Sequence, residues 1–384
     1  MDFSLNPEQA AMVETARRFA AEKLAPGYRQ RDIDGDIDRR LLAEMGSLGL
    51  LGMELPEKFG GLGTDALTTG LVINELCAAD PNYGYAVINV ALFGQIVAQH
   101  GHDELAREWL PRVVRGEKLP AIALTEPRGG SDAANLVLKA RRDGSDYVID
   151  GEKTSITFAT QSDVVVVFAR TGSVESGAKG ISAFFVPTEA PGLTTTAFSD
   201  LGGRSVGRGS LFFESVRIPA IYRLGSENSG FVQVMQGFDF SRALIGLQCL
   251  GAARQSLKET WQYITERHAF GKRLSNFQGV TFPLAEAETH LEAALFLCFR
   301  TLWLKDQGLP HTAEAAMCKW WGPKVAAEVI QTCLLLHGHS AYSTELPYEQ
   351  RLRDVLGLQI GDGTAQIMKL IIARQKAGRA AVPT

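Results

Sequence analysis

The polar and apolar positions of the chain change period twice. Over residues 1–120 they follow a helical rhythm. Asn6 reads as an N-cap, Pro7 as the first helical residue and Glu8 as a first-turn acid. Met12, Val13, Ala16, Phe19 and Ala20 then recur at helical spacing, and Pro26 is expected to end the run. A glycine-rich connector at 46–63 precedes two more helical stretches, 67–79 and 87–100. From 121 to 235 the period shortens. Apolar runs at 147–149, 164–169, 181–186 and 211–213 are separated by Gly, Asp, Ser and Pro clusters, the pattern of an antiparallel sheet. Pro219 and Gly225 mark its exit. Helical periodicity then returns at 231–270, 277–305, 312–337 and 364–378. Helices this apolar need more than one neighbour, which points to a bundle and to subunit contacts.

The expected architecture is therefore mainly α with a central β-domain. An N-terminal helical domain (1–120) leads to a middle antiparallel β-domain (121–235) and a C-terminal helical bundle (236–384). Helices on both sides of a β insertion leave a crevice between domains, where ligands bind. No internal repeat or low-complexity tract interrupts the 384 residues.

Composition narrows the partners. Apolar residues make up 45% and charged residues 21%, enough apolar material for a large core. The net charge of −4 gives no positive field for nucleic acid. No apolar run approaches the ~18–20 residues that span a bilayer. The N-terminus is acidic and helix-like, without the apolar core of a signal peptide. Five cysteines, Cys77, Cys249, Cys298, Cys318 and Cys333, lie scattered in apolar helical stretches with no CxxC pair. They read as buried free thiols in a reducing compartment, a microbial cytoplasm. His337 and His339 have no further ligands for a metal site, and no metal is expected.

The densest chemical signal is at 121–157. Thr125-Glu126-Pro127 followed by Gly129-Gly130-Ser131-Asp132 forms a tight polar loop. Its backbone N–H groups and hydroxyls suit a phosphate or a polar ring edge, although a simple β-turn has the same composition. LTEPRGGSD resembles the signature of the acyl-CoA dehydrogenase family. Further matches follow in order: GGRS at 202–205, ERHAFG at 266–271, NFQ at 276–278, Arg353-Asp354 and Gly363-Thr364. The resemblance runs from about Phe3 to Arg374.

That resemblance implies an FAD enzyme that removes a proton from Cα and a hydride from Cβ of an acyl-CoA thioester. Electrons then pass to an electron-transfer flavoprotein. It also implies a helical domain, a β-domain and a four-helix bundle, assembled as a homotetramer. By the same resemblance Leu124 and Thr125 meet the flavin ring, and Ser131 contacts the phosphate regions of FAD or CoA. Ile156 (by its backbone) and Thr157 (by its hydroxyl) contact the isoalloxazine. Arg267, Phe270 and Gln278 hold the diphosphate and adenosine of FAD in a neighbouring subunit, where Arg offers a forked, permanently charged donor. Thr364 and Gln366 also approach FAD. Asp239 and Arg242 stand at i and i+3 on one helix, as a local ion pair or beside the CoA arm.

The departures from the family pattern bear on specificity. The catalytic carboxylate, a glutamate in most relatives, is Asp362 here, one C–C bond or ~1.5 Å shorter. The alternative base position on the long helix holds Ser241, which cannot take such a proton unaided. Asp362 is thus the candidate base; a turn residue in Gly361-Asp362-Gly363 is the structural alternative. Gly361 replaces a common aromatic, opening space that suits a branched or cyclic acyl group such as cyclohexane-carboxyl. Gly361 and Gly363 are accordingly placed with Asp239, Arg242 and Ser131 among the substrate contacts. No acid lies between Pro81 and His102, which favours simple α,β-dehydrogenation over attack at remote ring positions. Ser155 replaces a common tryptophan beside the flavin. His339 reads as structural rather than catalytic. The family mechanism also implies that the Asp362 N–H donates to the thioester oxygen. Three other readings keep the fold: an ordinary short- or medium-chain acyl-CoA dehydrogenase, a nitroalkane-oxidising flavoenzyme with an Asp base, and a non-catalytic flavoprotein.

Overall fold

The fold, here a computed structural model, describes residues 3–382. The N-terminal helices are α1 (Pro7–Phe19), α2 (Tyr28–Asp34), α3 (Arg39–Ser47), α4 (Ala66–Ala79), α5 (Asn82–His100) and α6 (Asp103–Val114). Asn6 caps α1 as expected: its Oδ1 accepts from the Gln9 N–H at 2.8 Å, and the Gln9 side chain reaches back to the Asn6 N–H. Pro26 does not end the helical path. The α-geometry stops at Phe19 and continues as a π turn and a 3-10 turn, and Pro26 sits in the latter, where a missing N–H costs nothing. Helix α5 begins five residues ahead of the apolar pattern, because Asp80 Oδ1 accepts from the Asn82 N–H at 2.9 Å and starts the turn there.

The β-domain contains β1 (Pro120–Ala123), β2 (Lys139–Asp143), β3 (Asp146–Ile156), β4 (Val164–Arg170), β5 (Ile181–Pro187), β6 (Leu193–Ala197), β7 (Gly209–Pro219) and β8 (Arg223–Leu224). The strand order is β6-β7-β3-β2-β4-β5-β8, with β1 alongside β4. Most pairs are antiparallel; β1 and the end of β2 run parallel to β4. Strand β4 is buried on both faces. Val164, Val166 and Phe168 join the large helical core, while Val165, Val167 and Ala169 face the interior of the β-domain.

Helix α7 (Gly230–Glu266) is 37 residues, roughly 55 Å long. It starts against Ser182 of β5, at a point where a side chain on Gly230 would strike backbone. The division at 235/236 drawn from the sequence falls inside it. The expected helix to 270 stops at Glu266: Phe270 and Gly271 have φ of 51° and 74°, and β9 (His268–Ala269) pairs with β10 (Lys272–Arg273) in a small hairpin. Helices α8 (Gln278–Asp306), α9 (Thr312–His337), α10 (His339–Tyr342), α11 (Tyr348–Leu356) and α12 (Ala365–Ala377) complete the chain. Among them α8 and α9 pack on α7 as the bundle.

One buried carboxylate ties the three regions. Asp354 of α11 accepts from the Tyr28 hydroxyl at 2.7 Å, from Asn82 Nδ2 at 3.1 Å and from the Gly203 N–H at 2.7 Å. Beside it Arg353 pairs with Asp32 at 2.9 Å and donates to the Leu201 carbonyl at 2.8 Å. Burial, with Asp80 and Asp32 nearby, pushes the Asp354 carboxyl up to about 7 against the pull of its three donors. A carboxyl raised in the folded state binds its proton more tightly there than when unfolded. Its contribution is complete below the unfolded value and is lost as pH rises through about 7. The stability difference between wild type and Asp354→Asn, measured by denaturant unfolding, should therefore shrink by roughly 2–3 kcal/mol from pH 5 to pH 8.

Candidate active site

The loop after β1 is held from beneath. Glu126 is buried, and its carboxylate accepts from the Val137 and Leu138 N–H groups at 2.7 and 2.9 Å. Lys153 of β3, fully buried, donates to Glu126 Oε1 at 2.8 Å and to the Leu124 carbonyl at 2.8 Å. Burial lowers the Lys153 ammonium to about 8 despite its partner. The Thr154 N–H closes the contact on the Thr125 carbonyl at 2.9 Å. Leu124 and Glu126 line a pocket with Arg128, Gly129, Asp132 and Asn135; Ser131 is exposed in the same loop.

Strand β3 delivers the next two candidates. Its pairing with β7 slips between Lys153 and Ile156, and Ser155 and Phe158 take left-handed φ of 59° and 61°. The Ile156 side chain is thereby turned into the β-domain core, leaving only its backbone for a ligand. Thr157 is half-buried. Among the described residues neither the Thr125 nor the Thr157 hydroxyl has a hydrogen-bond partner. Two uncommitted hydroxyls and an open glycine turn at Gly129 fit the polar edge of a flavin.

Asp362 follows a short 3-10 turn (Gly357–Gln359) after α11. Its φ of 55° is a left-handed conformation that Asp tolerates better than most residues. Its side chain is exposed at the surface, although many atoms of the chain pack around it. Crowding raises its carboxyl above the usual carboxylate range, opposed by Lys319 and Arg242. Tyr85 of α5, half-buried, feels the Asp362 charge, and Arg208 acts on Tyr85 in the opposite sense. No hydrogen bond among the described residues uses the Asp362 N–H. Gly361 has room: a Cβ there would meet only the Gly357 carbonyl, at 3.6 Å.

Arg242 and Asp239 form the local pair, 2.9 Å apart, and Thr312 donates to the other Asp239 oxygen at 2.6 Å. Arg242 Nε is buried without a partner. Ser241 is buried, and its hydroxyl donates to the Phe238 carbonyl of its own helix. Thr364 caps α12 by accepting from the Ile367 N–H, and Gln366 is exposed in the first turn. His339 is exposed at the start of α10. His337 is instead buried between Tyr263 and Tyr348.

Arg267, Phe270 and Gln278 do not join this group within one chain. They lie past the far end of α7, roughly 38 Å along the helix from Arg242. Arg267 makes no ion pair among the described residues, and Phe270 is 95% exposed. The sequence marks Glu126 only as part of the loop motif, without a role, and leaves Lys153, Lys319 and Tyr85 unassigned; of these three, Lys319 carries a signal, as a lone cation in the apolar stretch AAMCKWWG.

Free hydroxyls on a polar loop that suits a flavin edge, and elsewhere in the chain a carboxyl raised above its usual range, are the parts that a flavin-dependent oxidoreductase starting from proton abstraction needs. The N-terminal, middle and C-terminal domain families of acyl-CoA dehydrogenases match residues 6–117, 121–216 and 228–377 in turn. A Bacillus subtilis (strain 168) protein named "Probable acyl-CoA dehydrogenase YngJ" is 35% identical over 378 residues, 98% of this chain and 99% of its own. Butyryl-CoA dehydrogenase from Megasphaera elsdenii superposes with a TM-score of 0.94 at 32% identity, covering 98% of this chain and 100% of that one. A solved structure described as "Electron transferring flavoprotein of Acidaminococcus fermentans: Towards a mechanism of flavin-based electron bifurcation" gives 0.95 at 33%, over 98% and 99%. The chain belongs to the acyl-CoA dehydrogenase family. Its cofactor is FAD, and it acts on acyl-CoA thioesters.

Replacing Glu126 by Gln leaves Lys153 buried without its counter-charge. The substitution should destabilise the holoenzyme by ~3–5 kcal/mol. It should also lower the FAD content of the purified protein, read from the ratio of visible to ultraviolet absorbance.

Proposed function

We propose that Asp362 takes the Cα proton of an acyl-CoA thioester whose acyl group is branched or cyclic, cyclohexane-carboxyl being the type. The observation that supports the reading is the setting of Asp362: an exposed carboxylate that feels the charges of Lys319 and Arg242, with its own N–H uncommitted. The Asp362 N–H donates to the thioester oxygen as negative charge develops there, an interaction worth roughly 3–4 kcal/mol per good donor. Crowding around the carboxyl raises its basicity toward the task. FAD, when bound, accepts the Cβ hydride. Leu124, Thr125, Ser131, Ile156 and Thr157 hold it on this chain, and Thr364 and Gln366 approach it from α12.

The open space at Gly361 supports the bulky acyl group, and the shorter Asp side chain suits a Cα set closer to the loop. Gly363, Ser131, Asp239 and Arg242 complete the substrate contacts. Because Arg267, Phe270 and Gln278 project from the far end of α7, they serve the FAD of a second copy, in a homotetramer. An electron-transfer flavoprotein would be the acceptor for the electrons that FAD takes up. Five buried free cysteines fit a reducing cytoplasm.

Anaerobic titration tests the substrate. Cyclohexane-carboxyl-CoA should bleach the flavin band at least tenfold faster than butyryl-CoA; equal or faster bleaching by butyryl-CoA would make this an ordinary short-chain enzyme. Asp362→Asn should keep FAD and lose flavin reduction by 10³-fold or more, on the order of removing an essential base. The wild-type rate should fall as pH drops, with its acid limb above the usual carboxylate range, because the base must be ionised to act. In the double variant Arg267→Ala/Phe270→Ala, light scattering should show a smaller assembly, and the protein should retain less FAD.

A further inference from the structure

Asp362 sits in a segment with little to hold it still. Glycines flank it on both sides, Gly363 with φ of 104° and Gly361 with open space around it. The segment's own backbone contributes only two bonds, from the Ile360 and Gly361 N–H groups to the Gly357 carbonyl. A misplacement of ~1 Å in such a base costs on the order of 10²-fold in rate. Something outside the loop has to fix it.

Lys319 of α9 does so. It is fully buried, and its Nζ donates to the Leu358 carbonyl at 2.6 Å and to the Gly363 carbonyl at 3.2 Å. Those two carbonyls bracket Asp362. Among the described residues Lys319 is the only side chain that hydrogen-bonds the 358–363 backbone. Among the described residues it makes no salt bridge, an unusual state for a buried ammonium. The charges that act on it are Asp362, which favours its cationic form, and Arg242 on α7, which opposes it; the Cys249 thiol on α7 also faces it. Asp362 in turn feels the charges of Lys319 and Arg242 and acts on Tyr85 of α5.

We propose that Lys319 is the positioning residue for the base: its buried ammonium, bonded to the Leu358 and Gly363 carbonyls, clamps the loop on both sides of Asp362 and sets a fixed positive charge against the loop that carries it. The inference rests on Asp362 being the base. Direct contact of Lys319 with substrate is not required, since its Nζ is spent on the two carbonyls.

The test uses the FAD-loaded full chain and anaerobic stopped-flow. The probe is whichever of cyclohexane-carboxyl-CoA and butyryl-CoA reduces the wild-type flavin faster. Lys319→Met and Lys319→Gln should shift the acid limb of the flavin-reduction rate upward by about one pH unit. Below the limb that is about tenfold slower. The thioester concentration at half-maximal rate should change less than about threefold. A residue of merely structural importance would lower the rate equally at all pH values. An unmoved limb in folded, flavin-loaded variants therefore overturns the proposal. If neither variant folds, the charge-retaining Lys319→Arg decides. Its guanidinium cannot reproduce the grip on the two carbonyls, so the limiting rate of flavin reduction should fall about tenfold or more with FAD content and the acid limb unchanged; a wild-type limiting rate overturns the proposal. Asp362→Asn that still reduces flavin at the wild-type rate would sink the base assignment itself.

Discussion

The three-donor bond at Asp354 is the constraint on which the rest of the geometry depends. Tyr28, Asn82 and Gly203 come from a helix, a helix start and a loop before β7, and no local preference brings them together. Meeting on one buried carboxylate, they set α11 against the N-terminal helices and the β-domain. The chain leaves α11 two residues later, turns once and reaches Asp362. The crevice walls and the base are thus placed by the same contact. A close approach reinforces it: a Cβ on Gly202 would lie 2.3 Å from the Arg353 backbone, so only glycine lets the two segments meet.

The electrostatics of the base are a balance. Crowding alone would favour a neutral carboxylic acid, which cannot take a proton. Full pairing with a cation would make a carboxylate too weak to take one from carbon. At Asp362 the carboxyl is raised by its surroundings and restrained by Lys319 and Arg242, neither of which forms a salt bridge with it. Arg242 is engaged by Asp239 and Lys319 by two carbonyls, so both act on the base through space. A carboxylate that is charged but not committed is what proton abstraction needs.

Much of this was legible in the residues. The apolar helices 312–337 and 67–79 and the strand runs at 164–169 and 181–186 appear where their periodicity puts them, because both faces of those elements are buried and carry apolar side chains. Elements whose outward faces are polar left no such trace: β2 (KARRD), β6 (LTTTA) and α11 (YEQRLRDVL) went unread. The first half of the hairpin at 268–273 reads as helix as far as Phe270, because Ala269 and Phe270 continue the apolar rhythm, although Phe270 packs on little within its own chain. The ordered motifs marked the loop after β1, the hairpin and Asp362. Their supports did not show, since Glu126 and Lys153 are 27 residues apart and Lys319 is 43 residues from Asp362 in sequence. Ion pairs and clamps between distant segments leave no spacing to read.

The central claim is that Asp362 is the group that meets Cα. The most direct test is a crystal structure of the FAD-loaded protein with 3,3-dimethylbutyryl-CoA, which has Cα hydrogens but none at Cβ and so cannot be oxidised in the crystal. The account predicts an Asp362 carboxylate oxygen about 3–3.5 Å from Cα, with the thioester oxygen on the Asp362 N–H. A complex in which Asp362 points away and another ionisable side chain lies against Cα would contradict it.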